Sequence, residues 1–325
     1  MTDSCRSTCC CCARCAQLPQ TLQALEQTTQ VTHLCHDLET LALLGTQFDT
    51  ALITTRNAGA LMSGQGGYAP LQTAAMPFRA SRRRVSIRVA PNTALNIARS
   101  SADQGARVPG ALVAATPDGQ LCHRIQYLSD YDIQVAQSLE PQDFPPAPAP
   151  VPANSAPETP AYSGNVVGLG AVRQARDCWQ RADAGQHVND LLVANGQQRA
   201  ATLPYVGDAR AWQIVPQVIE SFLSYLTDRQ RPFLRVVPSG GIAQIDGGSL
   251  DRLNRLDSVL VANSGASSFS LDLSCLASVW VIASGRHWQL ELYDEDQRCL
   301  AAILPDPWAQ ENQWADLLAS LPRRR

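Results

Sequence analysis

The chain has no lysine: all 26 of its basic residues are arginine. Schiff-base chemistry on a lysine amine is excluded, and any anion the protein holds must meet planar guanidinium groups. Histidine is scarce, with five in 325 residues, so each imidazole is weighed on its own. No apolar run reaches the roughly 20 residues that span a bilayer. The formal charge of −3 creates no global field that would gather nucleic acid or an anionic membrane. Three chemical signatures are missing as well: a G-x-x-x-x-G-K-[ST] phosphate loop, an H-E-x-x-H zinc pair and a G-x-S-x-G nucleophile elbow.

What remains is a chain with 45% hydrophobic and 17% charged residues, long enough for two ordinary folding units. Six of its eleven cysteines crowd into Cys5 to Cys15. An odd total without a secretory apolar region points to a reducing cytoplasm. Four adjacent cysteines do not converge on one ion in regular structure, so residues 1–16 read as a disordered tail rather than a thiol metal site. Cys35, Cys122, Cys178, Cys275 and Cys299 read as small buried apolar residues.

Taken in order, Leu18 to Leu44 carries helical spacing. FDTALITTRN then reads as a strand, Gly64 to Tyr68 as a glycine-rich turn, and RRRVSIRVAP as another strand. ALVAATPDGQLCHRIQYL reads as a hairpin reversing at Asp118-Gly119. Between 139 and 163 proline dominates, which predicts a semi-rigid spacer. Ala171 to Leu226 reads as helical with breaks at Gly196 and Pro204. Strands follow in PFLRVV, GIAQIDG, SFSLDL, SVWVIA and WQLELYD, and a last helix runs from Gln310 to Leu321. Helices then strands, twice, predicts an α+β protein of two tandem similar halves, each an antiparallel β-sheet flanked by helices. The expected boundaries are 17–138 and 164–322.

The histidines are the chemistry-bearing residues. His33 and His36, three apart on an expected helix, share a face but have no third ligand nearby. His123 sits in a strand, where a hydrogen-bonded structural role is the plain reading. His287 opens a strand beside Trp288. His187 lies in WQRADAGQHVNDLL, Trp179 to Leu192, an amphipathic segment where a surface position is the plain reading. A porphyrin would need an imidazole for iron and arginines for its propionates. Arg88 and Arg286 are on offer, while Arg82, Arg83 and Arg84 read as a solvated strand end.

Several of these segments carry a family resemblance. TRNAGALMSGQGGY, VSIRV, PDGQLCHRI, the Trp179 to Leu192 segment, PFLRVVPSGGIAQIDGG, FSLDLSCLASVWVI with LELYD, and QWADLL occur in an order and spacing that resembles the bacterial HemS-type hemin-degrading and hemin-transport factors. The resemblance spans residues 18 to 320 apart from the spacer. It implies a cytoplasmic protein of haem and iron utilisation, with haem in a cleft and an axial histidine on the helix opening the second half. It also implies a first-half arginine on the distal side. His187 is the implied iron ligand, Arg88 the distal arginine, and Arg286 a further haem contact. Aligning Trp179 and Leu191-Leu192 sets the family's histidine at Gln186, one residue before His187. The family has histidine where Met62, Asp246 and Asp272 stand here, and arginine at Ser274. The resemblance implies as partners a haem ABC transporter and a haem oxygenase or reductase. Binding and trafficking are expected ahead of oxidative degradation. The alternative is a degenerate member that holds no haem and serves as a protein-interaction scaffold.

Overall fold

The computed structural model describes residues 20–70, 72, 80–81, 84–90, 93–101, 110–139, 176, 179, 182–284, 287–307 and 311–324. The cysteine cluster, the proline-rich stretch from 140, Arg82, Arg83, Cys178 and Arg286 lie outside the described residues.

Strands dominate, as the alternating apolar segments predict. β14 (Ser278–Ser284) shows why. Val279 and Val281 enter one core, while Trp280 and Ile282 enter another on the opposite face. Successive side chains of a strand point to opposite faces, so a strand covered on both sides reads as the continuous apolar run SVWVIA. Its neighbours follow the same rule. They are β15 (His287–Tyr293), β16 (Cys299–Pro305), β9 (Phe233–Ser239), β10 (Ile242–Gly248) and the short β8 (Ala211–Ile214). With β4 (Ser86–Val89) they form a seven-stranded sheet in the order β4-β10-β9-β16-β15-β14-β8.

A second sheet has nine strands. It contains β1 (Val31–Asp37), β2 (Leu52–Arg56), β3 (Ala60–Gln65), β5 (Ala94–Ser100), β6 (Ala111–Ala115) and β7 (Leu121–Gln126), with β11 (Arg252–Leu256), β12 (Val259–Ser264) and β13 (Ser267–Asp272). Their order is β1-β5-β6-β7-β2-β3-β13-β12-β11. Every pairing in both sheets is antiparallel. Strands cross between the two parts of the chain. β4 precedes the proline-rich stretch yet pairs with β10, and β13 follows it yet pairs with β3.

Helices cover the sheets. α1 (Leu22–Glu26), α2 (Leu38–Gly45) and α3 (Asp130–Gln137) belong to the first part. α4 (Ala184–Leu192) and α5 (Gln197–Val206) pack Val188, Leu191, Leu203 and Val206 on one face of the seven-stranded sheet, against Val236, Ala243 and Ile245. α6 (Val218–Asp228) and α7 (Glu311–Ala319) belong to the core on the other face, with Phe222, Leu226, Trp314 and Leu318. Each such side chain contributes about 1.5–3 kcal/mol on burial.

Three local expectations are corrected. Leu18 to Leu44 is not one helix, because Val31–Asp37 forms an edge strand pairing with β5. Pairing and the burial of Leu34 override the helical spacing. His33 and His36 therefore lie on a strand and not on a helix. Pro204 does not break its helix. It stands inside α5, whose last turn is held by the burial of Leu203 and Val206. Finally, β8 interrupts the stretch expected to be helical, and β11 and β12 were not foreseen. β11 is mostly exposed, so no burial period marks it.

Candidate functional site around His187

The segment from Trp179 supplies a buried polar cluster rather than an open imidazole. α4 starts where Asp183, in extended conformation, accepts a hydrogen bond from the Gln186 backbone N–H at 2.8 Å. A side-chain cap of this kind sets the helix start. From there Gly185, His187, Val188, Leu191 and Leu192 face the protein interior. Gln186 faces outward and is exposed, its amide donating to Asp190 Oδ1 at 2.9 Å, one turn on.

His187 is fully buried. Its Nδ1 lies 2.9 Å from Nη2 of Arg199 on α5. Arg199 is buried too, and its Nε donates to both carboxylate oxygens of Glu291 on β15, at 2.8 and 2.9 Å. Its Nη1 reaches Asp190 at 3.2 Å. Glu291 also accepts from Gln289 at 2.5 Å and from the Tyr293 hydroxyl at 2.6 Å. The indole of Trp179 covers the cluster, 4.5 Å from the Arg199 guanidinium carbon and edge-to-face with His187 at 5.2 Å. The carboxylate holds the Arg199 charge firmly, whereas burial first, and then the Arg199 charge, push His187 well below the ordinary imidazole range. His187 is neutral at physiological pH.

Its tautomer follows. A guanidinium offers only donors, so Nδ1 accepts and the ring hydrogen sits on Nε2. That Nε2 has no hydrogen-bond partner among the described residues. An iron-ligating histidine needs the reverse arrangement, with a lone pair on the metal side and the other N–H given to a carbonyl or carboxylate. As held by Arg199, the imidazole does not fit an iron ligand.

Arg88 is likewise buried and engaged. Its Nε donates to Asn189 Oδ1 of α4 at 2.6 Å, and burial lowers its pKa, opposed by the nearby Asp183 carboxylate. The structure thus brings Arg88 and His187 to the same helix. It joins Arg88 directly to that helix, with no space for a planar macrocycle between Arg88 and Asn189.

The substituted positions have internal partners. Met62 is a fully buried core residue. Asp246 pairs with Arg235 and accepts from Ser267 at 2.7 Å. Asp272 caps a short 3-10 turn, taking the backbone N–H of Ser274 at 2.9 Å and its hydroxyl at 2.6 Å. A groove of about 1050 Å³ opens near Asp246, lined also by Gln65, Leu234, Gln244, Ser267 and Asp306. Neither His187 nor Arg88 lines it, while Arg84 does. No His, Cys, Asp or Glu cluster among the described residues is arranged to hold a metal.

Two other histidines take structural places. His123 is buried, Nδ1 at 2.7 Å from the Thr55 hydroxyl and Nε2 against the Tyr68 hydroxyl, and burial lowers it to about 3. His33 is exposed and pairs with Glu26 at 3.1 Å. Sequence reasoning missed Arg199, Asn189 and Glu291. No local signal marked Glu291: it alternates with Leu290 and Leu292, a place that strand periodicity reads as solvent-facing, and only the cover over the second face of the sheet buries it.

No family model matches the chain, and no curated protein matches it in sequence. Solved structures do match. The heme degrading enzyme ChuS of Escherichia coli O157:H7 aligns with a TM-score of 0.70 at 14% identity, over 92% of this chain and 89% of that one. A further structure of ChuS, described as an E. coli heme oxygenase, gives 0.68 at 15% identity over 95% and 94%. Holo-PhuS, a heme-binding protein from Pseudomonas aeruginosa, gives 0.66 at 15% identity over 96% of each chain. The chain has the fold of these proteins along nearly its whole length. No helix among the described residues is long and apolar enough to cross a membrane.

Proposed function

We propose that this chain, built on the HemS-type fold shared with ChuS and PhuS, is a cytoplasmic binding protein of haem handling that carries its ligand and does not oxidise it. The observation that supports this reading is the fold match over 92–96% of the chain to proteins described as heme-binding or heme-degrading. Carriage is favoured over degradation by the engagement of His187 with Arg199, because oxygen activation depends on the axial ligand that tunes the iron. In this reading its protein partners are a haem ABC transporter and a haem oxygenase or reductase.

A second reading, a scaffold that holds no haem, is favoured by the direct Arg88–Asn189 bond. One titration separates the two. Adding hemin to the purified protein is expected to move and sharpen the Soret band with saturation at one equivalent. A spectrum identical to free hemin leaves the scaffold. With ascorbate added to the loaded protein, the carrier is expected to keep its Soret band, and bleaching faster than that of free hemin would show an enzyme instead.

A further inference from the structure

We infer that the cavity beside α3 is a binding site for a small organic acid, a monocarboxylate with an apolar body, whose carboxylate Arg99 and Tyr127 hold. This goes beyond the haem reading and does not depend on it. The cavity lies in the first part of the chain, and neither His187 nor Arg88 lines it.

The cavity measures about 350 Å³, and its walls include Thr32, Arg99, Gly110, Tyr127, Ile133 and Ala136. Small-molecule pockets run from about 300 to 1,000 Å³, so this one takes a single ring or a short chain and not a macrocycle. Strand alternation puts a cation there. Leu95, Ile97 and Arg99 share one face of β5, and the first two enter the core that also holds Tyr127 and Ala136. The apolar stripe thus ends in a guanidinium beside the last turn of α3. Arg99 Nη1 donates to the Ala136 and Leu139 carbonyls at 2.9 and 3.4 Å. These bonds seat the group against the helix end, and its Nε and Nη2 hold no hydrogen bond among the described residues. Among the described lining residues Arg99 is the only charged one, so no carboxylate of the wall repels an acid.

Tyr127 supplies a hydroxyl. The residue is 8% exposed, and its hydroxyl has no hydrogen-bond partner among the described residues. The ring is fixed in place. Phe48 stacks with it at 6.1 Å and 10°, and a Cβ at Gly110 would come within 3.0 Å of a ring carbon. Buried tyrosine hydroxyls ordinarily find a partner. Burial raises Tyr127 above the ordinary phenol range, opposed by the Arg99 and Arg124 charges, so the hydroxyl keeps its proton at neutral pH and donates it. A carboxylate suits both groups, accepting from a guanidinium and from an O–H alike. The Tyr127 ring, Ile133 and Ala136 offer apolar surface to the body of the acid.

The test titrates the full chain with sodium benzoate, read by calorimetry and by ligand-observed NMR. Saturation at one equivalent with a Kd below about 1 mM is expected. Tyr127→Phe removes only the hydroxyl. It should weaken benzoate by at least about tenfold yet leave the ligand-free protein melting at or above the wild-type temperature, because no internal hydrogen bond is lost. Arg99→Gln should weaken benzoate to a similar degree. Where that change loosens α3, Ile133→Trp, at a partly exposed position, fills the cavity instead and should abolish binding. Benzamide, of the same shape without the charge, should bind at least about tenfold more weakly than benzoate. Absence of saturable binding overturns the inference, as does binding that Tyr127→Phe and Ile133→Trp leave unchanged. Displacement of benzoate by inorganic phosphate at equal concentration would also overturn it, by showing an anion site indifferent to the apolar body. So would a lower melting temperature in ligand-free Tyr127→Phe, which would give the hydroxyl an internal partner.

Discussion

At the residue scale the chain is shaped by a few buried polar side chains and the partners that hold them. Arg199 and Glu291 form the heaviest of these, a guanidinium and a carboxylate held with almost no exposure. A buried pair contributes little over an apolar substitute, yet removing one partner strands the other charge. Glu291→Ala is expected to cost about 3–5 kcal/mol, measured as a fall in the urea midpoint. The double variant with Arg199→Ala should lose less than the two single losses added together. If the losses add, the pair is not a unit.

Histidine sets the pH dependence at the same scale. Burial holds His123 at about 3 in the folded protein, whereas an unfolded imidazole titrates near 6.5. Above that unfolded value both states are neutral and the folded protein keeps the full contribution. As the pH falls toward 3, the unfolded chain takes up the proton first, so stability declines across this window. His187, also shifted downward, acts with the same sign. Unfolding free energy should therefore rise with pH between the folded and unfolded values, and the slope should be shallower in His123→Gln. An unchanged slope would show that His123 titrates normally in the folded state.

At the scale of elements, caps and cross-sheet ties decide how pieces meet. Asp183 starts α4 and thereby sets the register of everything the helix presents. Asp183→Ala is expected to cost about 0.5–2 kcal/mol, and a larger loss would mean that its field at Arg88 matters more than the cap. Asn57, just after β2, ties the two sheets together. Its amide donates to the Pro238 and Leu300 carbonyls at 2.9 and 2.8 Å, while its oxygen accepts from Ala60 at 2.8 Å. Asn57→Ala should destabilise by about 1–3 kcal/mol through the carbonyls left unpaired, as read by thermal melting. Much at this scale was legible in the amino acids: the Asp118-Gly119 reversal, where Gly119 has φ +83°, and the doubly buried strand around Trp280. The mostly exposed β11 was not, since its place depends on β12 beside it.

At the scale of the whole molecule, the exchange of strands governs cooperativity. Without β4 the seven-stranded sheet loses an edge, and without β13 the nine-stranded sheet ends at β3. The cores mix accordingly, with Ala60 and Met62 in the core of the C-terminal strands and Ile242 in that of the N-terminal ones. Calorimetry should show one cooperative transition for the full chain. Fragments 20–139 and 176–324 should each lack a cooperative transition when expressed separately. A cooperative melt in either fragment alone would contradict this account.

Local chemistry by itself determined where most strands run and that no lysine is present to react. These depend on period-two alternation, turn residues and residue inventory, which are properties of neighbours in the chain. Which of Gln186 and His187 faces outward was decided only in three dimensions. The two differ by one step around a helix, and the choice between them is made by Arg199 twelve residues on, itself held by a carboxylate from a strand almost a hundred residues further along. A helix carries its own periodicity, but its rotation belongs to the partners that bury it.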